Sequence, residues 1–437
     1  MPLSWHNSWI EYSFFIERET DLMAKAIVDC CSQPGLMHPD LALERILSHV
    51  EPILDTEWVE LDQGMGRVLA DSVSSKIDLP PFDNSAMDGY AYRFDDGLAE
   101  KPLTLVGTAF AGHPYQGETP PNSCVRIMTG GQVPAGYDTV QMQENAEANG
   151  DQISLLPAKR KGAHVRPLGE EARRGEQIYA AGQRIGAAEM GVLATIGVDK
   201  IKVVRRITVA FFSTGDELKP VGSELKPGDI YDSNRYAIKG LLSRSYVDYI
   251  DLGVIPDDMD AIRDAFKRAS EQADVVITSG GVSVGDADYV KQILDELGQI
   301  NFWRLAIKPG KPFAFGQIGS ALFCGLPGNP VSSMVTYYKL VTPILEKLSC
   351  VTPKPILRLP ATLACDIRKH PGRVEYQRGI YSYDEQGRLQ VITTGAQGSG
   401  MLTSMSVSNC FIVLEQDLGN VSAGAQVTIE PYQQVLD

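Results

Sequence analysis

The sequence lacks most of the short signatures that announce a chemistry. None of its seven cysteines (Cys30, Cys31, Cys124, Cys324, Cys350, Cys365 and Cys410) forms a CxxC pair. An odd, unpaired set reads as reduced thiols in a cytoplasm, not as a disulfide framework. The six histidines are scattered, without HxxxH or HExxH, so a zinc site is not expected. There is no GxxxxGK[ST], which excludes a P-loop nucleotidase, and no GxGxxG with a downstream ribose-binding acid, which argues against a dinucleotide site. Positive charge is scarce: 40 Lys and Arg stand against 55 Asp and Glu, a net charge of −15. Such a balance argues against nucleic acid or an acidic membrane as partner. An anionic ligand would then need a local basic cluster or a metal ion. No apolar run is long enough to span a membrane. The opening stretch MPLSWHNSWIEYSFFIERET has no basic leader, and its apolar patch is broken by Glu11, Glu17 and Arg18, so it is a poor signal peptide.

What is present is an ordinary globular composition, 43% hydrophobic and 22% charged over 437 residues, long enough for several domains. Residues 1–37 read as an N-terminal extension, disordered or foreign to the native protein, with Met23 an alternative start. In PDLALERILSHVE, 39–51, Leu41, Leu43, Ile46, Leu47 and Val50 recur at helical spacing. This stretch, with the rest of 38–75 and with 172–205 (AAEMGVLATIG, then IKVVR), forms a linking or dimerisation unit. From 76 to 171 short apolar runs alternate with Gly, Pro, Asn and Asp turns, which predicts a β-rich module. From 206 to 352 the pattern becomes strand, helix, strand. ITVAFF, VDYIDLGVI, DVVITS, NFWRLAI and ALFCGL read as strands, and NRYAIKGLLSRS, DAIRDAFKRASEQ, DADYVKQILDELG and PVSSMVTYYKLVTPILEKL as helices. That alternation predicts a doubly wound, mostly parallel α/β domain. Short strands return from 353 to 437 and read as a small β-barrel. The fold class is therefore multidomain, α/β and β.

In a doubly wound sheet ligands bind outside the carboxyl ends of the strands. Five loops belong at that edge: STGDEL (213–218), PDD with Asp257 and Asp258, TSGGVSVGDADYV (278–290), KPGKP (308–312) and GLPGNP (325–330). Any one of them has a structural explanation, since glycine supplies positive φ and Asp, Ser or Asn caps the next helix. Asp286 fits such a cap, and so does Asn329 before Pro330. Five together point to a ligand site. Ser279, Gly280, Gly281 and Ser283 open a turn suited to a phosphate at a helix N-terminus. That turn has no lysine, and Lys308 and Lys311 of the next loop supply the charge an oxyanion needs. Glu217, Asp257 and Asp288 are hard oxygen donors suited to Mg2+. In the β-rich module, PPFDNSAMDGYA (80–91) crowds Asp83, Asn84, Ser85 and Asp88 into one turn, RIMTGG carries Thr129, and RPLGEEA carries Arg166, Glu170 and Glu171.

FDNSAMDGYA, RIMTGG, FSTGDEL, GDIYDSN, SGGVSVGDADY, IKPGKPFAFG and GLPGNPVSS follow one another in the order characteristic of the MoeA family, and from about residue 38 to its end the chain resembles that family. The family comprises molybdopterin molybdenumtransferases and is related to the C-terminal domain of gephyrin. The resemblance implies a four-domain homodimer with an intersubunit active site. It also implies insertion of molybdate into adenylylated molybdopterin, with AMP released and Mg2+ as cofactor. By resemblance the functional positions are Asp88, Thr129, Arg166, Glu171, Glu217, Asp257, Asp288, Lys308 and Arg378, with Arg304 as a further basic residue. Among these, Asp88, Thr129, Glu217, Asp288 and Lys308 are expected to be catalytic. Arg166, Glu171, Ser279, Gly280, Gly281, Ser283, Arg304, Lys311, Pro327, Pro330 and Arg378 are expected to bind substrate. Glu171 and Arg304 depart from the family pattern, where Asp and Lys are usual, and Arg and Lys are not equivalent at an anion site. The molybdopterin adenylyltransferase is a candidate partner. It is also the rival reading, because it shares the SGG-type loop, but the flanking β modules argue against that rival. A non-catalytic scaffold is a second rival, disfavoured by the intact acidic and basic residues.

Overall fold

A computed structural model describes residues 35–281 and 289–432. The first helix, Pro39–Leu47, begins with proline at its first turn, and the His38 ring accepts from the Asp40 N–H at 3.3 Å. Its buried residues Ala42 and Ile46, with Val50 just beyond, join the core of the doubly wound domain. The Lys347 ammonium closes the end of this helix on the Leu47 carbonyl at 2.7 Å.

A two-stranded ribbon links the units. Thr56–Glu60 runs antiparallel to Lys200–Val204, with Glu60 opposite Lys200. Helix Ala187–Thr195 covers it, and Val59, Leu193, Ile201 and Val203 share one small core. Between the two halves of the ribbon the chain makes the β-rich module. Its six-stranded sheet has the order Thr139–Met142, Gly89–Tyr92, Ser123–Ile127, Leu103–Ala109, Gln152–Leu155, Ala146–Asn149. A separate short pair, Asn84–Ser85 with Val165–Arg166, brings Arg166 opposite Asn84.

The doubly wound domain carries a second six-stranded sheet. Val247–Ile255, Ile207–Thr214, Val275–Ser279 and Ala321–Leu326 lie parallel in that order. The period-two alternation of Ile207–Thr214 explains why the sheet has two covered faces. Val209 and Phe211 enter one core with helices Ser233–Leu242 and Pro330–Thr336, while Ala210 and Phe212 enter the other with helix Met259–Gln272. One strand of this sheet has no counterpart among those expected from the sequence. Pro312–Ile318 turns at Gly319–Ser320 and pairs antiparallel with Ala321–Leu326, with Ile318 opposite Ala321. The strand expected from NFWRLAI lies slightly earlier, at Gly298–Arg304, antiparallel to Pro312–Ile318. The sheet is thus mostly parallel, with one reversed strand inside its edge. The run 330–348 is helical throughout, with a π-helical turn at Tyr337–Val341.

The C-terminal domain is a closed barrel of five strands: Leu359–Leu363, Val374–Tyr383, Leu389–Thr393, Cys410–Leu414 and Gln426–Pro431. Closure comes from Val374–Tyr383, which pairs with both Leu389–Thr393 and Cys410–Leu414. The two-residue strand Ile307–Lys308 of the doubly wound domain adds to this barrel, parallel to Val374–Glu375. That pairing joins the domains at the place where the anion-binding loop was expected. No helix among the described residues is long and apolar enough to cross a membrane.

Candidate active site

A cavity of about 740 Å³ opens at the carboxyl ends of the parallel strands. This is within the size range of small-molecule sites. Its first wall is the turn after Val275–Ser279. Gly280 and Gly281 have φ of +96° and +66°, and a side chain there would also collide. A Cβ on Gly280 would lie 2.9 Å from the Thr214 carbonyl oxygen, and one on Gly281 would lie 2.3 Å from Val290 Cγ2. The glycines of this turn are therefore required by space as well as by conformation. The Gly280 N–H is turned to the Leu326 carbonyl, 3.2 Å away, so it is not one of the donors aimed at the cavity. Ser283 and Asp288 lie outside the described residues.

The second wall is the turn after Ala321–Leu326. The Pro327 carbonyl accepts from the Ser333 hydroxyl, and Asn329 and Ser332 line the cavity. Pro330 occupies the first turn of helix Pro330–Thr336, and Asn329 is its N-cap without a side-chain cap bond. Asn234 ties the two walls together. Its Nδ2 donates to Ser279 Oγ and to the Gly328 carbonyl, both at 2.6 Å. Its Oδ1 is buried without a partner. Asn234 belongs to the GDIYDSN motif, but that stretch carried no assigned role because nothing local shows an amide reaching two distant loops.

The third wall is basic. Lys308, Lys311 and Arg373 line the cavity, and the Lys308 ammonium sits 3.0 Å from Glu375 Oε1. Arg373 was not singled out in the sequence. Its only local signal is the Pro-Gly turn before it. The barrel also contributes Gln397, Gly398 and Ser399. Behind them is Arg378, almost fully buried, which donates from Nε to Ser404 Oγ at 2.9 Å and from Nη2 to the Gly398 carbonyl at 3.0 Å. Burial holds its pKa below the ordinary arginine value. Arg378 supports the cavity loop and does not line the cavity. Arg304 is exposed and does not line it either.

Glu217 lines the acidic side. Asp257 lies next to it, its N–H donating to Asp216 Oδ1 at 3.1 Å. Burial, and then the negative charges of Asp216 and Glu217, push the Asp257 carboxyl above its usual value. Crowded carboxylates of this kind suit a hard divalent cation, whose charge would relieve their repulsion. Among the described residues, no three His, Cys, Asp or Glu side chains gather closely enough to hold a metal.

The β-rich module holds a second polar cluster. Asp88 Oδ1 accepts from the Thr129 N–H at 2.7 Å and from its hydroxyl at 2.8 Å. These bonds, backbone first, hold the Asp88 carboxyl below its usual value. Asp83 Oδ1 caps the Leu168 N–H at 2.7 Å, which fixes the segment that carries Arg166 and Glu171. Asp88, Thr129, Arg166 and Glu171 do not line the cavity of their own chain.

Comparison with known proteins finds matches along most of the chain. A model of the MoeA N-terminal region (domain I and II) matches residues 37–197, one of a probable molybdopterin binding domain matches 210–347, and one of the MoeA C-terminal region (domain IV) matches 360–432. The molybdopterin molybdenumtransferase of Haemophilus influenzae is 44% identical over 399 residues, covering 91% of this chain and 99% of its own. The chain belongs to the MoeA family. Gephyrin of Dictyostelium discoideum is 34% identical over 442 residues, covering 89% of this chain and 61% of gephyrin. Among solved structures, the molybdopterin biosynthesis moeA protein of Pyrococcus horikoshii superposes with a TM-score of 0.79 at 28% identity, covering 91% of this chain and all of that one. Within a MoeA-family chain, the cavity loops and the Asp88–Thr129 turn are two separate polar clusters, one on the doubly wound domain and barrel, the other on the β-rich module.

Proposed function

We propose that this protein is a cytoplasmic molybdopterin molybdenumtransferase that inserts molybdate into adenylylated molybdopterin and releases AMP. The observation that carries this reading is the cavity itself. It has two glycine-bearing turns tied by Asn234 on one side, and Lys308, Lys311 and Arg373 on the other. Such a space accepts an extended ligand with anionic groups despite the chain's net charge of −15. The SGG turn orients the nucleotide phosphate, and Lys308, Lys311 and Arg373 hold an oxyanion, molybdate or the pterin phosphate. No covalent nucleophile is required, because positioning and charge complementarity lower the barrier. Glu217 and Asp257, with Asp288, would hold Mg2+. When bound there, the ion supplies neutralisation of the phosphoanhydride charge.

A homodimer unites the two polar clusters if the partner's β-rich module faces this cavity. Asp88, fixed by Thr129, and Arg166 would then orient the dithiolene end of the substrate. The molybdopterin adenylyltransferase, which makes the substrate, is the candidate partner for direct transfer.

The test is AMP release by the purified protein given adenylylated molybdopterin, molybdate and Mg2+. Release should depend on molybdate, stop with EDTA and return with Mg2+. Rapid adenylylation of molybdopterin from ATP, or AMP release indifferent to molybdate, overturns the reading.

A further inference from the structure

Lys308 does not stand alone at the cavity. Strand Ile307–Lys308 pairs in parallel with the barrel strand so that Lys308 is opposite Glu375, and the two side chains meet at 3.0 Å between Nζ and Oε1. The lysine side chain is 41% exposed and the glutamate 4% exposed. The other carboxylate oxygen, Oε2, accepts from the buried Gln377 amide at 3.0 Å. Glu375 also feels the charge of Lys369, whose ammonium is spent on the carbonyls of Gln416 and Leu418 at 3.2 and 2.8 Å. Both oxygens of Glu375 are therefore anchored within the barrel and its junction, while its partner lines the cavity.

We infer that Glu375 is a positioning residue for the reaction: it fixes the Lys308 ammonium at the cavity wall and tempers the charge that an anionic ligand meets there. A lysine is a flexible stem with a compact charge and three donors. Glu375 takes one donor and leaves two for the ligand. A buried carboxylate is tolerated only when paired, so the pair resists separation, and the ammonium is held where the ligand enters. The barrel thereby sets the strength of a cation that belongs to another domain. This inference rests on the preceding reading of the cavity as an anion site.

The experiment uses the full-length protein with two variants, Glu375→Gln and Glu375→Ala, and calorimetric titration with molybdate and with AMP as separate probes. Glu375→Gln keeps shape and a hydrogen-bond acceptor but removes the opposing charge. It should bind one of the two anions about fivefold more tightly at low salt, with the gain fading as ionic strength rises. Glu375→Ala also releases the lysine, and kcat per folded molecule should fall by about tenfold or more, as misplacement of a charged group costs. Tightening with AMP or with molybdate supports the inference and tells which anion Lys308 meets. The inference is overturned if Glu375→Gln, folded by circular dichroism, binds both probes as the parent does, or if Glu375→Ala keeps its kcat. A merely structural glutamate would lower the melting temperature and leave both quantities unchanged. Binding is read without turnover, so absent molybdate-dependent AMP release in the parent protein would refute the proposed function separately.

Discussion

Asn234→Ala isolates the tie between the two glycine-bearing walls. The parent amide spends both Nδ2 hydrogens, on Ser279 Oγ and on the Gly328 carbonyl, at 2.6 Å each. Ser279 is only 2% exposed, so water cannot easily replace the lost donor. Two hydrogen bonds at about 1 kcal/mol net each, plus part of the desolvation penalty of the stranded acceptors, put the loss near 3 kcal/mol. Removing the unpartnered Oδ1 returns about 1 kcal/mol of that. A net local loss of about 2 kcal/mol raises the open population of the two turns by about thirtyfold. Hydrogen–deuterium exchange of peptides covering 276–281 and 322–330 should show that acceleration, with distant peptides of the β-rich module unchanged. Turnover should fall with it, because the SGG turn that lines the cavity is no longer fixed. Asn234→Asp separates the two contacts. It keeps the shape but sets a carboxylate oxygen against the Gly328 carbonyl, while the Ser279 hydroxyl can turn and donate to the carboxylate, so it should loosen the Gly328 turn and largely spare the Ser279 turn. Unchanged exchange in Asn234→Ala, or an Asn234→Asp effect on 322–330 no larger than that on 276–281, would refute the reasoning.

Two further outcomes follow from the domain junctions. Lys339 and Glu430 form a buried pair at 2.7 Å between the helical run and the barrel, with Arg358 and Tyr338 also on Glu430. Lys339→Met leaves Glu430 short of a partner and should destabilise the protein by about 3 kcal/mol, read from chemical denaturation followed by barrel-specific exchange. Burial alone would raise the Asp274 carboxyl, but Arg205, which grips it with two N–H donors at 2.7 and 2.8 Å, and the Thr208 N–H bring it below 3.8. A depressed folded value means its contribution is present above pH 3.8 and is lost as pH falls through the lower folded value. Acid unfolding of Arg205→Met should therefore begin at higher pH than that of the parent.

Much of the doubly wound domain was legible because its apolar runs obey a simple period. VDYIDLGVI coincides with strand Val247–Ile255, and Ile207–Thr214 alternates between two cores as a sheet with two covered faces must. Pro312–Ile318 is hidden in the sequence because Pro309 and Pro312 of KPGKP mark a loop that runs on into its first residue. The Gly319–Ser320 turn was the available signal for a hairpin, with Gly319 at φ +58°. In the cavity, the glycines and lysines stood out because five such loops converge on one edge of the sheet, although each alone has a structural explanation. Asn234, Arg373 and Gln397–Ser399 did not, since each comes to the cavity wall from a segment far away in the chain from the glycine-bearing turns. Arg378 shows the converse, because charge in a sequence carries no sign of depth. This arginine supports a loop from within the barrel.

The sequence by itself determined the order of the units, the strand ends where the cavity opens, and the residue types available to meet an anion. These depend on local periodicity and on what glycine, lysine and carboxylate can do anywhere. Only the tertiary structure decided which side chains share the cavity. Closing the barrel and adding strand Ile307–Lys308 to it bring Glu375 to Lys308, 67 residues apart in the chain, and set Arg373 beside them. Such partnerships arise from domain packing, which joins distant segments by burial and hydrogen bonding and leaves no spacing in the sequence to read.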